Sequence, residues 1–230
     1  MSLTFSPVSA LFERRRPSSL DELAGQDRLK KQLRLLESRY GTLGGRAYAI
    51  TGKKGMGKTT TARIIARKVA DDYAIEEIDA GDIDEKWIER YRRAMYVRPL
   101  GEKGGWALIV NEVHGLKAKA ARLLLTLIEP PGGMPSWGVI VFTTTKKGQE
   151  TLFEGVDDAG PLFSRCVRIE LEERGQSQPI VEAIMQAAVD EGLAGPDLDK
   201  MRKAVLRAVN ESCGDVREVY NQLESGFFLE

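Results

Sequence analysis

Through the first three quarters of the chain, short apolar runs alternate with amphipathic ones. The runs at 48–51, 75–79, 106–110, 139–144 and 167–171 have the length and residue types of strands. Between them, 58–70, 83–96 and 117–128 carry apolar residues at helical spacing. Alternation of this kind predicts an α/β fold: one parallel sheet of five strands, covered by helices on both faces. After Leu171 the strand signals stop. Stretches 178–191, 198–211 and 216–224 read as three helices, broken at 192–196 by Gly192, Gly195 and Pro196 and again by Cys213-Gly214. The expected division is therefore 1–172 as an α/β core and 173–230 as a small helical domain. No internal repeat or low-complexity segment interrupts it.

Composition narrows the function classes. The 230 residues, 42% of them hydrophobic, can bury a core as one large or two smaller domains. Lys plus Arg equals Asp plus Glu at 34 each, so the chain lacks the overall basic excess of an autonomous nucleic-acid binder. Any DNA contact has to come from local patterning or from assembly. Cys166 and Cys213 lie far apart, and His114 is the only histidine, which leaves no spacing for a zinc site. A reduced, zinc-free, cytoplasmic protein is expected. No apolar stretch reaches the roughly 20 residues of a membrane span, and the N-terminus shows no secretory apolar region.

The first chemical motif is Gly52-Lys53-Lys54-Gly55-Met56-Gly57-Lys58-Thr59-Thr60, which follows a predicted strand and opens a predicted helix. That context is what a phosphate loop needs: glycines let backbone N–H groups converge on phosphate oxygens at a helix N-terminus. Lys58 would neutralise β- and γ-phosphate charge, and Thr59 would offer its hydroxyl to Mg²⁺. A nucleoside triphosphate is the expected ligand. The second motif ends the strand at 106–110, where Asn111-Glu112 stands at the carboxyl edge of the sheet. Glu112 suits a carboxylate that orients and deprotonates an attacking water. Asn111 occupies the place where an aspartate normally holds Mg²⁺ through its water shell, and a neutral amide binds a hard cation less well.

Around these motifs the sequence resembles clamp-loader AAA+ ATPases, the group of replication factor C subunits and the bacterial DNA polymerase III tau/gamma and delta prime subunits. The similar residues are the segment from Arg16-Pro17 to Gly25-Gln26, Asn111-Glu112-Val113-His114, the stretch from Leu123 to Glu129-Pro130-Pro131, Ser164-Arg165-Cys166 and Gly214-Asp215-Val216-Arg217. The resemblance covers almost the whole chain. It implies an AAA+ P-loop core with a three-helix lid, ATP and Mg²⁺ at their junction, and action inside a ring or spiral of like subunits on a sliding clamp and primed DNA.

Carried over by position, the resemblance makes Arg165 an arginine finger acting on a neighbouring subunit's γ-phosphate, Arg217 the lid's sensor and Thr144 the strand-end sensor. Pro17, Leu23 and Ala24 would line the adenine pocket. Lys117, Lys119 and Arg122 fit duplex-backbone contact or a solvated helix face equally well. Departures from the family pattern matter too. Asn111 replaces the aspartate, the four-cysteine zinc module is lacking, and the chain stops after the lid, where cellular subunits carry a helical collar. Three functions follow as alternatives: an ATP-hydrolysing clamp-loader-like subunit, slow because of Asn111; a hydrolysis-deficient ATP-binding scaffold in such an assembly; or a small-molecule P-loop kinase, disfavoured by a lid without an arginine cluster.

Overall fold

The structure is a computed structural model and describes residues 9–129, 134–145 and 159–228. Pro130 and Pro131, from the stretch singled out above, lie outside them. The strands are β1 (Arg46–Thr51), β2 (Ile75–Asp79), β3 (Trp106–Asn111), β4 (Gly138–Thr144) and β5 (Cys166–Glu170). The helices are α1 (Leu11–Arg14), α2 (Asp27–Tyr40), α3 (Lys58–Val69), α4 (Glu85–Met95), α5 (Ala118–Ile128), α6 (Ala159–Ser164), α7 (Ser177–Asp190), α8 (Leu198–Glu211) and α9 (Val216–Glu224).

The five strands form one sheet in the order β2-β3-β4-β1-β5, with every neighbouring pair parallel, as the alternation predicts. Covering both faces makes the central strands continuously apolar, because every side chain on them meets a helix layer. All seven residues of β4 are buried. One face packs Leu108, Val110, Ile140 and Phe142 against α4 and α5, including Ile88, Tyr91 and Leu124. The other packs Tyr48, Ile50, Ile109 and Val141 against α3 and α2 through Ile64, Ile65, Leu29 and Leu33. A third cluster joins α7, α8 and α9 and takes in Leu11 of α1. The N-terminal segment is therefore packed on the last three helices. Its backbone N–H at Leu11 donates to the Glu224 carboxylate, and Arg15 pairs with Asp190 at 2.7 Å and Glu191 at 2.8 Å.

Helix α2 has no counterpart among the expected elements. It buries Leu29 and Leu33 at i,i+4 spacing, but the remainder of its 14 residues is largely charged, which masks the apolar stripe. Its start is fixed by tertiary contacts. Gln26 sits at φ 57 and is 5% exposed, its side-chain amide donating to the Glu172 carbonyl at 3.0 Å and accepting from the Glu172 N–H at 2.8 Å. The segment ahead of the phosphate loop is thus bolted to the linker that follows β5.

Candidate nucleotide site

The loop at 52–57 joins the end of β1 to the start of α3, with Gly55 at φ 74 and Gly57 at φ 91. At both positions a side chain would be strained, so glycine is what lets the loop curl ahead of the helix N-terminus. Gly55 is also closely covered: a methyl group there would stand 2.0 Å from Asp215 Cγ. Asp215 caps α9 by accepting from the Glu218 N–H at 3.2 Å, and the neighbouring Val216 N–H donates to the Gly55 carbonyl at 3.3 Å. The last helix therefore rests directly on the loop.

Lys58 opens α3 and is only 7% exposed. Its ammonium donates to the Lys53 carbonyl at 2.9 Å, and among the described residues no carboxylate oxygen lies within ion-pair distance of it. Burial pushes its pKa down, opposed by the charges of Glu112 and Asp215 and assisted by Arg217. A desolvated ammonium at a helix N-terminus is poised for an anion.

A cavity of 1010 Å³ opens between this loop, the N-terminal segment and α7–α9. Pro17, Leu23 and Ala24 line it together with Lys53, Lys54, Gly55, Met56, Gly57, Lys58, Thr59 and Thr60, as do Glu112 and Arg217. Gly52 packs instead beneath the loop against Leu171, which a Cβ would meet at 3.0 Å. Arg217 holds its guanidinium over the Phe12 ring, 5.1 Å from the centroid.

Glu112 follows β3 with φ 50, a left-handed conformation that costs a glutamate about 1 kcal/mol. Its Oε2 lies 3.3 Å from His114 Nδ1 without hydrogen-bond alignment. Asn111 is set behind the loop: its Oδ1 accepts from Thr143 Oγ1 at 3.0 Å and from Thr59 Oγ1 at 3.3 Å, while its Nδ2 donates to Glu77 Oε1 at 2.8 Å.

Several of the expected residues stand apart from the cavity. Thr144 is buried and, by strand alternation, shares the sheet face of Phe142; Thr143 is the threonine that meets Asn111. Arg165, at the turn from α6 into β5, pairs with Glu129 at 2.6 Å and donates to the Pro161 carbonyl at 3.0 Å. Lys117 is the N-cap of α5, and Lys119 pairs with Glu85 at 2.6 Å. Cys166 is buried, its thiol pushed up to about 12 by desolvation, and Cys213 is exposed.

Residues with no role assigned from sequence complete the surroundings. Arg16 lines the cavity, with a side chain 13% exposed that donates to Thr60 Oγ1 at 2.9 Å and pairs with Glu13. Its hydrogen bond is the main reason the Glu13 carboxyl lies below its usual range. Arg16 stands next to Pro17 in the segment quoted above, so its neighbourhood was legible. Glu77 left no signal in the sequence.

The sheet order, the glycine-rich loop between the central β1 and α3, and the Asn111-Glu112 strand end define a P-loop nucleoside triphosphatase. The chain belongs to the AAA family, ATPase family associated with various cellular activities, whose pattern matches residues 48–171. Its relatives fit the clamp-loader type of this family. It is 32% identical to the replication-associated recombination protein A of Escherichia coli K12, over 96% of this chain and 46% of that protein. It is 26% identical to the DNA polymerase III subunit tau of Bacillus subtilis, over 75% of this chain and 32% of that one. The chain thus spans half or less of these curated relatives. Among solved structures it superposes on a mutant form of RuvB of Thermotoga maritima with TM-score 0.68 and 22% identity, covering 92% of this chain and 65% of that one. That likeness is one of fold. Among the described residues no helix is long and apolar enough to cross a membrane.

Proposed function

We propose that this chain binds Mg²⁺-ATP in the cavity and hydrolyses it as a clamp-loader-like subunit. Its cycle would drive loading of a sliding clamp, or remodelling of a replication complex, on primed DNA in the cytoplasm. The observation that carries the reading is Lys58, a buried ammonium with no anionic partner among the described residues, facing a 1010 Å³ cavity that also holds Glu112. The relatives' printed names, a replication-associated recombination protein and a polymerase III subunit, support the setting.

In this reading residues 1–172 are the nucleotide-binding core and 173–230 the lid, with Leu11 carried on the lid. The donors fit the ligand. The cradle from Gly52 to Thr60 would hold the phosphates, and Pro17, Leu23 and Ala24 the base. Thr59 would offer its oxygen to Mg²⁺, which as a hard cation takes oxygen donors, and Asn111 would hold the metal through a bound water. Bound Mg²⁺-ATP supplies a γ-phosphoryl group whose charge the metal partly neutralises. Glu112 orients and deprotonates water, Lys58 stabilises charge building on the phosphoryl oxygens, and Arg217 reports nucleotide through the lid. Thr144 keeps a strand-end sensor's place in the sequence, with Thr143 as the hydroxyl beside Asn111. Arg165 lies outside its own cavity and acts on a neighbouring subunit, of the same or another AAA+ chain, in a ring or spiral.

Single-turnover hydrolysis measured together with native mass, with and without ATP and primed DNA, tests this. Hydrolysis that rises on assembly is expected, and binding without any hydrolysis leaves the ATP-binding scaffold. The neutral Asn111 favours that second reading.

A further inference from the structure

Asn111 stands where the family pattern has an aspartate, and the structure shows what surrounds it. An amide has two nearly isosteric orientations, and which one is present depends on its partners. Thr59 and Thr143 do not decide, because a hydroxyl donates or accepts with equal ease. Glu77 does decide. An ionised carboxylate only accepts, so Glu77 Oε1, 2.8 Å away, requires the NH₂ group on its side and turns Oδ1 toward Thr59. The opposite orientation would set oxygen against oxygen at Glu77 and aim an NH₂ group at the cation side of the site. Glu77 is itself held: its Oε2 accepts from Arg63 Nε at 2.7 Å, and Arg63 lies on α3, the helix that carries Thr59. Sheet geometry makes the contact possible, since Asn111 pairs with Asp79 and Glu77 is two residues back on the same face of β2.

We infer that Glu77 is a positioning residue for the metal side of the nucleotide site: it fixes the Asn111 amide so that Asn111 presents its oxygen, and it is required only because residue 111 is an amide. This rests on the Mg²⁺-ATP reading above. An aspartate at 111 has no orientation to fix and would put a second carboxylate within hydrogen-bond distance of Glu77, so there Glu77 opposes occupancy instead of supporting it.

The test is equilibrium binding of a fluorescent ATP analogue, each protein measured in Mg²⁺ and in EDTA. The Mg²⁺ gain, the ratio of the two affinities, is internal to one protein, and general loss of folding cancels from it. With Asn111 present, Glu77→Ala should cut the Mg²⁺ gain about five-fold, the worth of one charge-assisted hydrogen bond over a neutral contact, while affinity in EDTA holds. Glu77→Gln should restore part of the gain, because its carbonyl still accepts from the Asn111 amide. In an Asn111→Asp background, Glu77→Ala should leave the gain unchanged or raise it. A gain in the wild-type background that survives Glu77→Ala overturns the inference alone. So does an equal loss in both backgrounds, or an equal loss in EDTA, since either marks the Glu77–Arg63 pair as a plain brace for α3. Absence of any Mg²⁺ gain in the wild-type chain overturns the metal reading, and the inference with it.

Discussion

Replacing Lys58 with methionine should separate stability from binding in opposite directions. The lysine stem is packed at the start of α3, and the residue is 7% exposed, so methionine keeps most of the volume and the apolar contact. What disappears is an ammonium that donates to the Lys53 carbonyl and which burial disfavours. Removing an imperfectly compensated buried charge should stabilise the nucleotide-free protein by about 1 kcal/mol, or about 2–4 °C in Tm for a chain of this size. With nucleotide the order reverses. The wild-type ammonium makes charge-assisted contacts worth about 3 kcal/mol, so Lys58→Met should weaken ATP binding by about a hundredfold. At ligand concentrations of about 100 wild-type Kd, wild type gains about 2.7 kcal/mol and the variant, with its hundredfold weaker binding, only about 0.4 kcal/mol. The folded-state pKa of Lys58 lies below its unfolded value of 10.5. Its destabilisation is therefore complete below the folded pKa and fades as pH rises through it, so the variant's apo advantage should shrink in alkaline buffer. Thermal melting at several pH values, with and without Mg²⁺-ATP, reads all of this. A variant that melts below wild type without nucleotide would refute the desolvation argument, and undiminished affinity would refute the phosphate-loop assignment.

Three further outcomes are expected. Arg165→Ala should leave ATP affinity of the isolated chain within about two-fold of wild type and abolish any rate increase on assembly, because its guanidinium pairs with Glu129 outside the cavity; equal loss of ATPase at monomeric concentrations contradicts the action on a neighbour. Asn111→Asp should lower the Mg²⁺ concentration needed for single-turnover hydrolysis several-fold, since a full charge replaces a neutral carbonyl; no gain at any Mg²⁺ concentration leaves the scaffold reading. Gly55→Ala should reduce nucleotide affinity more than Tm, because the new methyl meets the Asp215 carboxylate at 2.0 Å and the φ of 74 is strained for alanine. Its effect should be partly reversed by Asp215→Ser, which keeps a helix cap in a smaller side chain.

How much was legible depended on how local each interaction is. The strands at 106–110 and 139–144 stand out in sequence because a parallel strand covered on both faces is apolar at nearly every position. The phosphate loop stands out because its chemistry is written in consecutive residues, whose glycines and helix start need only the backbone between β1 and α3. Helix α2 was hidden, because two buried leucines in a charged stretch carry little periodic signal until β1 and α3 lie against them. The distinction between Thr143 and Thr144 was hidden for a related reason: a shift of one residue turns a strand side chain to the other face, and the register of β4 against β1 and β3 settles it. By itself, then, the sequence determined the order of elements, the phosphate loop and the presence of an amide where a carboxylate is usual. Which way that amide points was decided only by the tertiary structure, since its partners Thr143, Glu77 and Thr59 lie 32, 34 and 52 residues away along the chain and meet it because three strands and one helix pack together.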